Sequence, residues 1–87
     1  MHRDGLFEFP CEFPIKAMGA AEPGFDELVV QIVRRHAPDL AEGAVSTRLS
    51  RGGRYLAVTV TVTARSREQL DAIYRALSDH EKVLMAL

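Results

Sequence analysis

The sequence predicts an α+β sandwich in which one four-stranded antiparallel sheet carries two helices on a single face. Three observations predict it. Two stretches place apolar residues at helical spacing, other stretches alternate apolar with polar residues, and a Gly52-Gly53 pair separates two of the alternating stretches. The 87 residues are 47% hydrophobic and 26% charged. A chain of this size buries only about two thirds of its unfolded surface, enough for one two-layer core and too little for a large enzyme fold.

The first strand spans Phe13 to Met18, with Phe13, Ile15 and Ala17 on one side and Pro14, Lys16 and Met18 on the other. Gly19-Ala20-Ala21-Glu22-Pro23-Gly24 breaks that alternation. Phe25, Leu28, Val29, Ile32, Val33 and His36 then recur as the stripe of a helix whose first turn carries Asp26 and Glu27. Arg34, Arg35 and His36 suit its C-terminal end, and Pro38 disfavours helical geometry at Ala37, so the helix stops there.

Gly52-Gly53 reads as a two-residue hairpin loop between Val45–Arg51 and Arg54–Ala64, since glycine takes positive φ without a Cβ clash. That register sets Arg51 against Arg54, Leu49 against Leu56, Thr47 against Val58 and Val45 against Val60. Val58, Val60 and Val62 then form a buried face, and Thr59, Thr61 and Thr63 the opposite one. Ser66-Arg67-Glu68-Gln69 is a capping box, in which the Gln69 side chain returns to the Ser66 amide. It opens a second helix with Leu70, Ile73, Tyr74 and Leu77 as its stripe, ended by Ser78-Asp79-His80. A closing strand follows, with Val83, Met85 and Leu87 inward and Lys82, Leu84 and Ala86 outward.

The order β-α-β-β-α-β is that of a ferredoxin-like sandwich with sheet order 4-1-3-2. Residues 1–11 read as a flexible N-terminal segment and residues 12–87 as the single domain. The open sheet face carries Lys16, Met18, Ser46, Arg48, Tyr55, Ala57, Thr59, Thr61 and Leu84.

Leu6-Phe7-Glu8-Phe9-Pro10, then Phe13, Lys16 and Met18-Gly19, then Arg35-His36-Ala37-Pro38, Ser50-Arg51-Gly52-Gly53-Arg54-Tyr55 and the closing Val83-Leu84-Met85-Ala86-Leu87 follow one another in a distinctive order. Over residues 6 to 87 this resembles the YbeD-like family of small uncharacterised bacterial proteins. The resemblance implies a fold similar to the ACT-type regulatory domains of amino-acid-metabolising enzymes, with no established activity. It also implies a link to lipoate metabolism, through members encoded beside lipoate-attachment genes. The chain departs from the pattern by one extra residue before Gly24 and by the apolar Leu84 where a basic residue is expected.

No His stands beside a Ser or Cys with a carboxylate behind it, and three scattered histidines with one cysteine lack zinc-ligand spacing. Neither catalysis, a metal nor any cofactor is expected. Cys11 reads as incidental, because the adjacent Glu12 disfavours the thiolate. The loop from Gly19 to Gly24 lacks a phosphate-binding motif, and Glu22, Asp26 and Glu27 oppose a nucleotide. In ACT-like domains this loop receives small ligands, so Gly19, Glu22 and Gly24 are the candidate ligand-binding residues, for a metabolite with a cationic amino group.

Lys16, Met18, Arg48, Tyr55, Ala57, Thr59 and Leu84 are the candidate partner surface, too apolar for plain exposure. A homodimer through this face or the closing strand's free edge belongs to the same expectation. Single-stranded RNA on Tyr55 and the hairpin arginines is the alternative, although the near-neutral charge of −1 and the lack of an aromatic platform disfavour nucleic acid. The N-terminus has no apolar stretch of roughly 7–15 residues as a signal peptide needs, and no run spans a membrane, so the chain reads as cytoplasmic. The expected function is a non-catalytic regulatory or interaction module for a small metabolite or a protein partner.

Overall fold

The computed structural model describes residues 8–87. Its elements are β1 (Cys11–Ala20), α1 (Phe25–His36), a 3₁₀ turn (Glu42–Ala44), β2 (Val45–Leu49), β3 (Tyr55–Ala64), α2 (Arg67–Asp79) and β4 (Met85–Ala86). The sheet order is β2-β3-β1-β4, with every neighbouring pair antiparallel. This is the expected ferredoxin-like order. Of the N-terminal segment expected over residues 1–11, residues 1–7 lie outside the described residues, and Cys11 already faces Ala64 in the sheet.

β1 and β3 pair along all ten residues, from Cys11 opposite Ala64 to Ala20 opposite Tyr55. The strand therefore extends beyond the expected Phe13–Met18. Pro14 is compatible with this central position because of where its nitrogen points. Lys16 exchanges both backbone hydrogen bonds with Leu87, so even-numbered β1 residues turn their backbone toward β4. Pro14 lies two residues beyond Leu87's partner, where β1 has no β4 neighbour to bond, and its missing N–H costs the ladder nothing.

The phase of this ladder sorts side chains onto two faces. Ile15, Ala17, Val58, Val60 and Val62 are fully buried against Phe25, Val29 and Val33 of α1 and Ile73 and Leu77 of α2. Burying a Val, Leu, Ile or Phe side chain contributes about 1.5–3 kcal/mol, so this one layer supplies most of the driving force for folding.

Three local details differ from the sequence reading. The hairpin keeps its register, but its ladder ends at Ser50 and Tyr55, leaving Arg51 and Arg54 in the loop. Ser50 Oγ accepts the Tyr55 N–H at 3.0 Å, which frees the Ser50 carbonyl to accept from Gly53 N–H at 2.8 Å. Gly52 and Gly53 take φ of 87° and 72°, as the turn demands.

At the start of α2, Ser66 Oγ accepts the Gln69 N–H at 3.1 Å, as in a capping box. The Gln69 side chain reaches further than expected: Oε1 accepts from Arg65 N–H at 2.7 Å, and Nε2 donates to the His36 carbonyl at 2.8 Å. One amide thus joins the end of α1 to the start of α2.

The last strand changes phase. Val83 is buried, but Met85 faces Met18 and Ala86 faces Ala17, so Met85 and Leu87 belong to the open face and Ala86 to the core. Leu84 N–H bonds the carbonyl of Met18, which also faces Met85, so Leu84 and the first residue of β4 meet one residue of β1, as in a β-bulge. That extra residue reverses the alternation expected for Met85 and Leu87.

Gly19 makes the close approach of α1 and the last strand possible. A Cβ built there would lie 2.5 Å from the Lys82 carbonyl oxygen and 2.5 Å from the Phe25 ring. The ring is buried in the core and the oxygen is backbone, so neither yields cheaply. Gly19→Ala is expected to destabilise the fold by roughly 1–3 kcal/mol, read as a lower urea midpoint with an unchanged slope.

Candidate functional site

The open face is built in rows by the strand register. Ser46, Thr59 and Lys16 form one row across β2, β3 and β1, and Arg48, Ala57 and Met18 the next. Tyr55 stands beyond them opposite Ala20, and β4 adds Met85 beside Met18. Lys16, Met18, Arg48, Tyr55, Ala57 and Thr59 are thereby brought together on one surface. Leu84, also expected there, instead borders a separate hollow with Ala20, Glu22, Phe25 and Lys82 at the sheet's end, where it is 62% exposed.

A shallow hollow of about 260 Å³ lies on the open face among Lys16, Met18, Arg48, Arg51, Tyr55 and Ala57. Its floor is apolar and its rim cationic. Among the described residues, Arg65 pairs with Asp39 at 2.6 Å and Lys82 with Glu22 at 2.5 Å, both elsewhere. Lys16, Arg48 and Arg51 have no carboxylate partner there. Glu12, an acid on this face, accepts from Thr63 Oγ1 at 3.0 Å toward the opposite end of the β1–β3 ladder. The hollow suits a group that is anionic at one end and apolar at the other.

The loop candidates are arranged differently. Gly19 is buried beneath Phe25 and offers no surface to a ligand. Gly24 precedes α1 with φ 89°, and its carbonyl accepts the Leu28 N–H at 2.9 Å. The Ala21 N–H bonds the Arg54 carbonyl at 2.9 Å and the Phe25 N–H that of Glu22 at 3.3 Å, so these two loop amides are already engaged. Glu22 and Gly24 share a hollow of about 220 Å³ whose other wall is His80 and Lys82. Those two residues escape sequence reasoning, since nothing local at position 80 or 82 signals contact with a loop some 60 residues earlier.

His80 Nδ1 accepts the Lys82 N–H at 3.1 Å, and Cys11 is half-buried at the start of β1. Among the described residues, no cluster of three or more His, Cys, Asp or Glu is placed to hold a metal, and no helix is long and apolar enough to cross a membrane.

Hydrogen bonding to Glu22, with its charge, raises the Lys82 pKa, and the Arg65 hydrogen bond lowers that of Asp39. The signs give opposite pH limits. The Lys82 contribution is present below its ordinary pKa and is lost as pH rises through the raised value; the Asp39 contribution is lost as pH falls through the lowered one. Both groups are solvent-exposed, so the effects are small and salt-sensitive. Glu22→Gln is expected to bring the Lys82 titration down toward that of an ordinary lysine, followed by ¹⁵N NMR at Nζ, with the Asp39 titration unmoved.

The model of the family described as "Protein of unknown function (DUF493)" matches residues 4–87. Among curated relatives, a UPF0250 protein of Chromobacterium violaceum is 56% identical over 82 residues, covering 94% of this chain and 92% of the relative. A UPF0250 protein of Nitrosomonas europaea is 47% identical over 87 residues and the full length of both chains. One from Paraburkholderia phytofirmans is 52% identical over 84 residues, covering 97% and 94%. The motifs that resemble the YbeD-like family lie within the matched span, and the chain belongs to the DUF493 (UPF0250) family of small bacterial proteins.

Proposed function

We propose that this protein is a non-catalytic, ACT-like interaction module that docks a regulatory protein partner on its open sheet face. The hollow bounded by Lys16, Arg48 and Arg51 over Met18, Tyr55 and Ala57 carries this reading. Cations without carboxylate partners beside exposed apolar groups favour a segment that presents Asp or Glu next to an apolar or aromatic side chain. The lipoate link implied by the YbeD-like resemblance supplies the first candidates for that partner.

A small metabolite at the Gly19–Gly24 loop has less support. It would have to displace Lys82 from Glu22, and Gly19 is covered by Phe25. Single-stranded RNA is also less well supported, because Tyr55 is the lone aromatic on this face among the described residues, and base recognition on a sheet uses several.

An acidic peptide with one aromatic residue, titrated into ¹⁵N-labelled protein, is expected to move the amides of Lys16, Met18, Arg48, Tyr55 and Ala57. Lys16→Glu with Arg48→Glu should weaken that binding by about tenfold or more. Octanoate, lipoate, free amino acids and single-stranded RNA form the comparison arms. Shifts confined to Glu22, Gly24 and Lys82 with an amino acid, or RNA binding tighter than the peptide, would overturn the reading.

A further inference from the structure

The cationic hollow is one end of a longer surface. Across the strands, the register lays two parallel rows on the open face. One runs Ser46, Thr59, Lys16 and Leu87, and the other Arg48, Ala57, Met18 and Met85. Each row is polar or cationic toward β2 and apolar at the closing strand, where Met85 is 50% and Leu87 65% exposed. Arg51, in the hairpin, adds its charge at the β2 end. Ala57 has the smallest side chain of its row and stands between Arg48 and Met18, with Tyr55 and Thr59 on either side of it along β3, so it forms the floor of the hollow.

We infer that this surface takes an amphipathic helix of the docked partner, lying across the strands with its acidic end over Lys16, Arg48 and Arg51 and its apolar stripe over Ala57, Met18, Met85 and Leu87. The inference rests on the docking reading of the hollow. It adds the conformation and the extent of the bound segment.

The backbone separates a helix from an extended segment. Along both rows β3 is paired with β1 and β2, and β1 with β3 and β4. These ladders use the strands' N–H and C=O groups in the plane of the sheet, and none is turned toward a segment lying on the face. An extended segment held there would set its own backbone groups against side chains, with no ladder to join, which is costly wherever they lose water. A helix closes those bonds within itself.

The dimensions agree. Neighbouring rows lie two residues apart along each strand, about 7 Å, a separation that a helix roughly 10 Å wide covers. From Arg48 to Met85 there are three strand spacings, about 14 Å, the length of roughly nine or ten helical residues. A helix of about three turns therefore reaches both ends of the surface. Its apolar side chains recur at i, i+3, i+4 and i+7, and its acids occupy the last turn. Acids in the last turn of a free helix oppose its dipole; here three cations without carboxylate partners face them.

The probe is an alanine-based peptide of about 15 residues with leucines at helical spacing and glutamates in its last turn. Its control carries two prolines in place of central alanines and cannot form the helix. Titrated into ¹⁵N-labelled protein, the first peptide is expected to move the amides of Met85 and Leu87 together with those of Met18, Ala57 and Arg48, its helical circular dichroism rising on binding. The proline control should bind at least about tenfold more weakly. Met85→Thr combined with Leu87→Ser should weaken the helical peptide by about tenfold, while the short acidic peptide that fills the hollow alone stays within about twofold. Leu87→Ser by itself leaves the backbone ladder to Lys16 unchanged and shows the same direction if the double variant loosens the closing strand.

Equal binding of the helical and proline peptides, or a helical peptide indifferent to the substitutions at 85 and 87, would overturn the inference and leave the docking reading standing so long as the short peptide binds. If the short peptide also leaves the amides of the hollow unmoved, both fall.

Discussion

The ladder between β1 and β3 is the constraint on which the rest of the molecule depends. Its ten residue pairs set one alternation, and that alternation decides which side chains face the helices and which face outward. Shifting either strand by a single residue would carry Val58, Val60 and Val62 into solvent and bring the threonines beneath α1 and α2. The buried valines thus hold the register that places Lys16, Met18, Ala57 and Arg48 together. The outer surface is a consequence of the inner one, and what is cationic or apolar on it is held in place by packing on the other side of the sheet.

Much of this was legible because it repeats with short periods. The alternation of Val58 to Thr63 reports the two faces, Gly52-Gly53 fixes the β2–β3 register, and the stripes from Phe25 and Leu70 place the helices. The features that escaped depend on contacts remote in sequence. The phase of β4 is set when Leu84 N–H takes the Met18 carbonyl, a bond that alternation within 83–87 does not encode. The reach of Gln69 to His36 spans two elements, where the capping pattern alone returns it to its own helix. In the loop site, Glu22 and Gly24 were visible as a break between strand and helix. Their neighbours His80 and Lys82 were not, because only the return of the last strand past Gly19 brings them there.

The loop and the open face illustrate two fates of polar residues in a small domain. Glu22 is consumed in holding the chain, through its ion pair with Lys82, and the Gly24 carbonyl accepts from Leu28 in the first turn of α1. Lys16 and Arg48 stand on strands whose backbone bonds at these positions are made within the sheet, Arg51 stands in the hairpin loop beside them, and no carboxylate among the described residues neutralises the three. An interior this small commits its apolar residues to one layer. The sheet face that the helices do not cover is left to threonines, cations and a few exposed apolar side chains.

The Gln69 amide has a consequence for how the domain opens. It holds the carboxyl end of α1 to the amino end of α2, and Arg65 reaches Asp39 beside it, so the link that follows α1 and the link that precedes α2 are tied at the same place. The two helix dipoles meet there with opposite ends together, which favours their joint alignment. A fluctuation that lifts one helix must break these bonds and disturb the other. Opening of the helical layer is thus coupled across both helices, whereas the β2 edge, exposed from Ser46 to Leu49, is not tied into these bonds.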